Sequence, residues 1–185
     1  RFELSFRTGE RFTLEWALTG RHQARNAAAA AALAVAIGIP PETIAAGAVH
    51  ARLPGMRSKV TRLDGVTYVN DAYNANPGSM RAALANLAEF ADPARLVLVL
   101  GEMRELGGSE AAEHRALVEN ALQTFPGVRL LTVGRAFGEC PGALRFDRSE
   151  EVGETLAKLV RDGDLVFAKG SRGIAVELAL PEAAR

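Results

Sequence analysis

Three short segments gather most of the unusual hydrogen-bonding groups of this chain, and each follows an apolar run. VNDAYNANPGSM (69–80) sets Asn70, Asp71, Tyr73, Asn74 and Asn76 directly behind VTYV. Asp71 is the first carboxylate after that run. There it could accept both hydroxyls of a ribose, or it could cap a backbone turn. Asn76 before Pro77 also fits a helix N-cap with proline at N1. Tyr73 could be half-buried packing with a satisfied hydroxyl, and Asn74 could hold a turn. KGSRG (169–173) places Lys169, Ser171 and Arg172 between glycines. Glycines let a backbone approach a ligand, and a following helix N-terminus favours an anion. The segment therefore suits a carboxylate or phosphate, which Arg172 could grip bidentately. The alternative is a solvated turn with Ser171 as a helix cap. GEMRELGG (101–108) carries Glu102 and Glu105, a pair able to do acid–base or metal work, or simply a charged surface loop.

These groups can act together only if the elements before them end in one place. Residues 1–18 read as two alternating strands joined by a turn at Thr8-Gly9-Glu10. An Ala-rich helix is expected to Ile37, stopped by Gly38 and Pro40, and a second from Pro41 to about 52. LPGM (53–56) is the expected domain boundary. Beyond it, KVTRL and VTYVN flank Asp64-Gly65, a hairpin turn pair. Met80, Leu84, Leu87 and Phe90 fall at helical spacing over 77–90. RLVLVLG, VRLLTVG, ALRF and DLVFAKG read as strands. Helices are expected from caps at Ser109 and Ser149, to about 124 and 161, and from 173 to 184. The alternation predicts an α/β fold: a Rossmann-like, mostly parallel sheet with helices on both faces. In such sheets ligands sit beyond the carboxyl ends of the strands, where all three polar segments fall.

Lys+Arg and Asp+Glu both number 22, so no net field draws nucleic acid or a membrane surface, and any anion recognition is local. A hydrophobic share of 48% predicts a packed core rather than disorder. The most apolar run, AAAAAALAVAIGI, is too short to span a bilayer, and no signal peptide is visible. A single cysteine, Cys140, excludes an intramolecular disulfide and fits a reducing compartment. The chain opens on Arg1 rather than Met, which suggests a piece of a longer protein. GxxxxGK[ST], a strand-borne GxGxxG, zinc-type CxxC or HxxxH spacing and GxSxG are all missing. His114, Cys140 and Trp16 are read as structural, and His50 is assigned no role. By itself the chain offers half of a site, able to hold a sugar and an anion.

In combination these motifs resemble the Mur ligase family, the ATP-dependent enzymes that add amino acids to the peptidoglycan precursor. DAYNANPGSM (71–80) looks like the signature of the family's D-Ala-D-Ala-adding member. GRHQARNAAAAAAL (20–33) is similar to its G-x-H-N-x-x-N-A helix start, with Gln23 in place of Asn. LPGMR (53–57), GEMRELG (101–107, Glu102 in place of Asp) and KGSRG follow in the family's order. The resemblance implies that residues 1–53 end a central ATPase domain and that 54–185 form the C-terminal Rossmann-like domain. The phosphate loop and the Mg2+ ligands would then lie upstream. It implies ATP contacts from His22, Asn26, Arg57, Asp71, Tyr73 and Asn74, and D-Ala-D-Ala contacts from Asn76, Lys169, Ser171 and Arg172. The implied reaction is amide formation through an acyl phosphate, with UDP-N-acetylmuramoyl-tripeptide as acceptor, in a cytoplasmic monomer. Rival readings are another Mur-type ligase, folylpolyglutamate synthetase, or a non-catalytic nucleotide- or dipeptide-binding module.

Overall fold

The computed structural model describes residues 1–7, 9, 11–15, 21–51 and 56–185. The chain forms two compact units, Arg1–Leu53 and Pro54–Arg185.

In the first unit, β1 (Phe2–Ser5) and β2 (Arg11–Leu14) pair antiparallel, with Phe2 opposite Leu14 and Ser5 opposite Arg11. The expected turn at Thr8 and Glu10 lies outside the described residues, as does Trp16. α1 (Arg21–Ala36) and α2 (Pro41–Ala48) follow. Alanine at most α1 positions favours the helix while contributing little burial, so the core is small: Leu14, Ala27, Ala31 and Ala48. Pro41 at N1 and Glu42 in the first turn suit the start of α2. α2 ends at Ala48, short of the expected residue 52, which lies outside the described residues along with 53–55.

The second unit is built on a six-stranded sheet in the order β3-β4-β8-β5-β6-β7. Its strands are β3 (Lys59–Leu63), β4 (Val66–Asn70), β5 (Leu96–Gly101), β6 (Arg129–Val133), β7 (Leu144–Phe146) and β8 (Leu165–Lys169). β3 and β4 pair antiparallel, and the other neighbours are parallel. The β3–β4 turn is Asp64-Gly65, with φ of 48° and 75°. Two consecutive positive φ angles match the right-handed twist of the strands. A Cβ at Gly65 would also land 1.7 Å from Asp162 Oδ1, so that carboxylate would have to swing aside.

β5 is buried along its whole length, and its alternate residues serve two cores. Leu96, Leu98 and Leu100 pack with α3 (Pro77–Leu87) and α4 (Glu110–Thr124). Val97 and Val99 pack with α5 (Val152–Leu159) and the C-terminal segment. Met80, Leu84 and Leu87 are buried as expected, whereas Phe90 is exposed because α3 has already ended.

Three helix expectations need correction. Ser109 does not cap α4 through its side chain, since its hydroxyl donates to the Leu106 carbonyl. Ser149 opens a 3-10 turn, Ser149–Glu151, and donates to the Ile174 carbonyl at 2.7 Å. α5 stops at Leu159, and the Arg161 N–H beyond it donates to Asp164 Oδ2 at 2.7 Å. The region expected as a final helix is three 3-10 turns, Arg172–Ile174, Val176–Ala179 and Glu182–Ala184. Ala175 takes a left-handed conformation (φ 53°, ψ 46°) and Pro181 interrupts again, so a continuous helix cannot form.

Candidate functional site

Parallel strands end on the same edge, so β4, β5, β6 and β8 deliver the polar segments to one rim. The rim is stitched across its loops. Asp71 N–H donates to the Ala168 carbonyl, Glu102 N–H to the Val133 carbonyl and Ser171 N–H to the Glu102 carbonyl. β5 and β8 approach so closely where they end that only glycine fits. A Cβ at Gly170 would lie 2.9 Å from the Gly101 Cα, and one at Gly101 would lie 3.0 Å from the Gly170 Cα. Glycine in the second and third polar segments is thus first a requirement of strand-end packing.

At the centre, Lys169 Nζ donates to Asp71 Oδ2 at 2.7 Å and to the Asn74 carbonyl at 3.0 Å. Lys169 is 5% exposed, so its ammonium is an internal partner rather than a free cation. Asp71 Oδ1 accepts from the Ser58 N–H at 2.9 Å and the Ser58 hydroxyl at 3.4 Å. A carboxylate has about four lone-pair sites, so Asp71 retains capacity for one further donor. Ser171 is buried; its hydroxyl accepts from the Arg104 N–H at 3.0 Å and donates to the Ala75 carbonyl at 3.3 Å.

Tyr73 is 43% exposed, and the Arg57 guanidinium stands over its ring at 4.1 Å, a cation–π contact. Met56 joins this pair to the β8 loop. Its carbonyl accepts from the Tyr73 N–H, and its sulfur from Arg172 Nη1 at 3.1 Å. Arg172 also pairs with Glu177 at 2.8 Å and is otherwise solvent-facing. Asn74 accepts from the Ala75 N–H. Asn76 is the N-cap of α3, in a capping box with Ser79, which was the local reading of that residue.

Sequence reasoning missed Ser58, Met56, Arg104 and Glu177, which hold the named residues in place. Of these, Arg104, inside GEMRELGG, and Met56, inside LPGMR, lay in segments already singled out. His114, read as packing, has a more defined part. It is buried on α4, its Nε2 accepts from the Met103 N–H at 2.8 Å, and its Nδ1 lies 2.7 Å from the Glu110 carbonyl. Those partners fix the Nδ1–H tautomer, and the imidazole anchors the 101–108 loop to α4. Glu102 accepts from the Ala136 N–H and faces Arg104 at 3.8 Å, so it is tied to its neighbours. Cys140 donates to the Phe137 carbonyl; burial pushes its thiol pKa up, with Arg115 and Arg145 opposing. Among the described residues no three His, Cys, Asp or Glu side chains gather as a metal site.

His22 and Asn26 belong to α1 in the first unit. The His22 side chain lies outside the described part, while Asn26 is exposed and donates to Gln23 Oε1.

Residues 56–172 match the family described as Mur ligase, glutamate ligase domain. The chain is 36% identical over 176 residues to the UDP-N-acetylmuramoyl-tripeptide--D-alanyl-D-alanine ligase of Treponema pallidum, covering 89% of this chain and 37% of that protein. The structure is similar to a crystal structure of MurF from Acinetobacter baumannii (TM-score 0.80, 29% identity, 95% of this chain and 40% of that one). It is also similar to MurF ligase from Thermotoga maritima in complex with ADP (TM-score 0.75, 25% identity, 91% and 39%). The chain thus spans less than half the length of each. The matched segment holds β3 to β8 and the whole stitched rim, and the chain belongs to the Mur ligase family, residues 56–172 matching its glutamate ligase domain.

Proposed function

We propose that this chain is the C-terminal part of an ATP-dependent peptide ligase that joins D-Ala-D-Ala to UDP-N-acetylmuramoyl-tripeptide in the cytoplasm. Residues 1–53 would end the central ATP-binding domain and 54–185 would be the C-terminal Rossmann-like domain. The reading rests chiefly on one observation: the NDAYNANP and KGSRG segments meet at a single rim through Asp71 and Lys169.

The rim suits a nucleotide. The spare lone pair of Asp71 can take a ribose hydroxyl, while the Tyr73 ring with Arg57 above it offers a flat cationic surface. Asn74 shapes the turn between them, and His22 and Asn26 would contribute from the first unit. Arg172 is the cation best placed for the dipeptide carboxylate, exchanging Glu177 for it. Lys169, Ser171 and Asn76 would act on the dipeptide indirectly, by fixing the loops that face it. Mg2+ would be bound by residues outside this chain.

In the reaction, the terminal carboxylate of the tripeptide attacks the γ-phosphoryl of ATP, and ADP leaves as the acyl phosphate forms. The dipeptide amine attacks the resulting acyl phosphate, and loss of phosphate leaves the amide. Positioning and charge neutralisation carry such chemistry, and closure excludes the water that would hydrolyse the acyl phosphate. The whole protein should release phosphate only with ATP, the tripeptide precursor and D-Ala-D-Ala all present. Release with a single amino acid in place of the dipeptide would assign another ligase of the family, and absence of all turnover would favour a binding module.

A further inference from the structure

We propose that the second unit carries another binding site, at the sheet edge opposite Asp71, for a small uncharged molecule with an apolar, ring-sized body and one hydrogen-bond acceptor. A cavity of about 580 Å³ opens there, between the β3–β4 hairpin, α5 and the C-terminal segment. That size is ordinary for a small-molecule site. Leu63, Val66, Leu156, Val160 and Leu180 supply apolar walls, and Tyr68 completes them. The cavity is separate from the rim described above, because β4 runs from Val66 at the cavity to Asn70 and Asp71 at the rim.

Tyr68 makes this more than a crevice. It is 5% exposed, and its ring packs in the core that holds Val97, Val152 and Val166. The Tyr68 hydroxyl makes no hydrogen bond to the described residues and is not among their fully buried unpaired atoms, so it opens to the cavity that the residue lines and is free to donate there. Burial, and then the nearby Asp64 carboxylate, raise its pKa, so the phenol stays a neutral donor. A carbonyl or ether oxygen in the cavity would satisfy it.

Charge narrows the ligand class. Asp64, Glu150 and Asp162 line the cavity alongside Arg161 and Arg185. The Arg185 guanidinium is already turned to the Leu180 and Leu178 carbonyls, at 3.1 and 3.5 Å. An anion would meet Asp64, Glu150 and Asp162, and a cation would meet Arg161 and Arg185, so either charge would have like charges beside it as well as the apolar walls. Both are costlier than seating a neutral molecule.

The test is NMR titration of the 185-residue chain with acetophenone and, in parallel, with ethylbenzene, which has the same shape but no acceptor. Acetophenone should shift the resonances of Leu63, Val66 and Leu156 saturably. Tyr68→Phe should weaken it about fivefold, the value of one hydrogen bond, and leave ethylbenzene binding unchanged. Ala157→Trp, which sets an indole on the exposed wall of the cavity, should weaken both. Shifts that do not saturate, shifts that map elsewhere, or equal acetophenone affinity in Tyr68→Phe would overturn the proposal.

Discussion

The Lys169 ammonium and the Asp71 carboxylate, 98 residues apart in sequence, meet at 2.7 Å where their neighbouring parallel strands end. The pair fixes both polar segments in one place, and it turns a lysine that reads as a ligand-binding cation into the partner of a carboxylate. Removing one member leaves the other charge largely buried and unpaired. Lys169→Ala should therefore lower the stability of the second unit by roughly 3 kcal/mol in urea unfolding. A double-mutant cycle with Asp71→Ala should give a coupling of at least about 1 kcal/mol; additive losses would mean that the two side chains act independently.

The glycines at the strand ends make a second expectation. Gly170→Ala brings a methyl group to 2.9 Å from backbone rather than from a yielding side chain. It should destabilise by about 1–3 kcal/mol. Gly78→Ala is the contrast: its Cβ would meet nothing closer than Asn76 Oδ1 at 3.4 Å, and it lies inside α3. That substitution should stabilise by up to about 1 kcal/mol.

Acid sensitivity should trace to Asp164. Burial alone would raise its pKa, but hydrogen bonds from Arg129 and the Arg161 N–H, with the Arg129 and Arg95 charges, bring it below the usual carboxylate value. A group depressed in the folded state contributes its full stability above its unfolded pKa, near 4, and loses it as pH falls through the lower folded value. Asp164→Asn should cost roughly 3 kcal/mol at neutral pH. It should also flatten the fall in stability below about pH 4; an unchanged acid limb in urea midpoints would assign that fall to other carboxylates.

For the proposed reaction, Arg172→Ala in the whole protein should raise the D-Ala-D-Ala KM more than the ATP KM, because its free guanidinium edge faces solvent beside the β8 loop. Asp71→Ala should remove most activity. Initial-rate measurements with each substrate varied separate the two effects, and the reverse ordering for Arg172 would reassign it to the nucleotide.

Local physics made much of this fold readable in advance. Continuous runs such as LVLVL allow a buried strand, Asp-Gly selects a tight hairpin, and Asn-Pro sets a helix start, all from neighbouring residues. What failed depended on distant partners. Val176, Ala179, Leu180 and Ala184 recur at helical spacing because each meets the same core, yet Ala175 and Pro181 break the helix they would suggest. Ser149 spends its hydroxyl on Ile174 rather than on a cap. Lys169 and Ser171 were legible as rim residues but not as buried ones, because Asp71 and Arg104, which occupy them, come from other strands.

The backbone-to-backbone touch of Gly101 and Gly170 has a mechanical consequence. With no side chain between them to swing aside, the loops after β5 and β8 have no independent hinge at that point and should tilt as one plate. A ligand drawing on Arg172 from one side would carry Glu102 and Arg104 along with it.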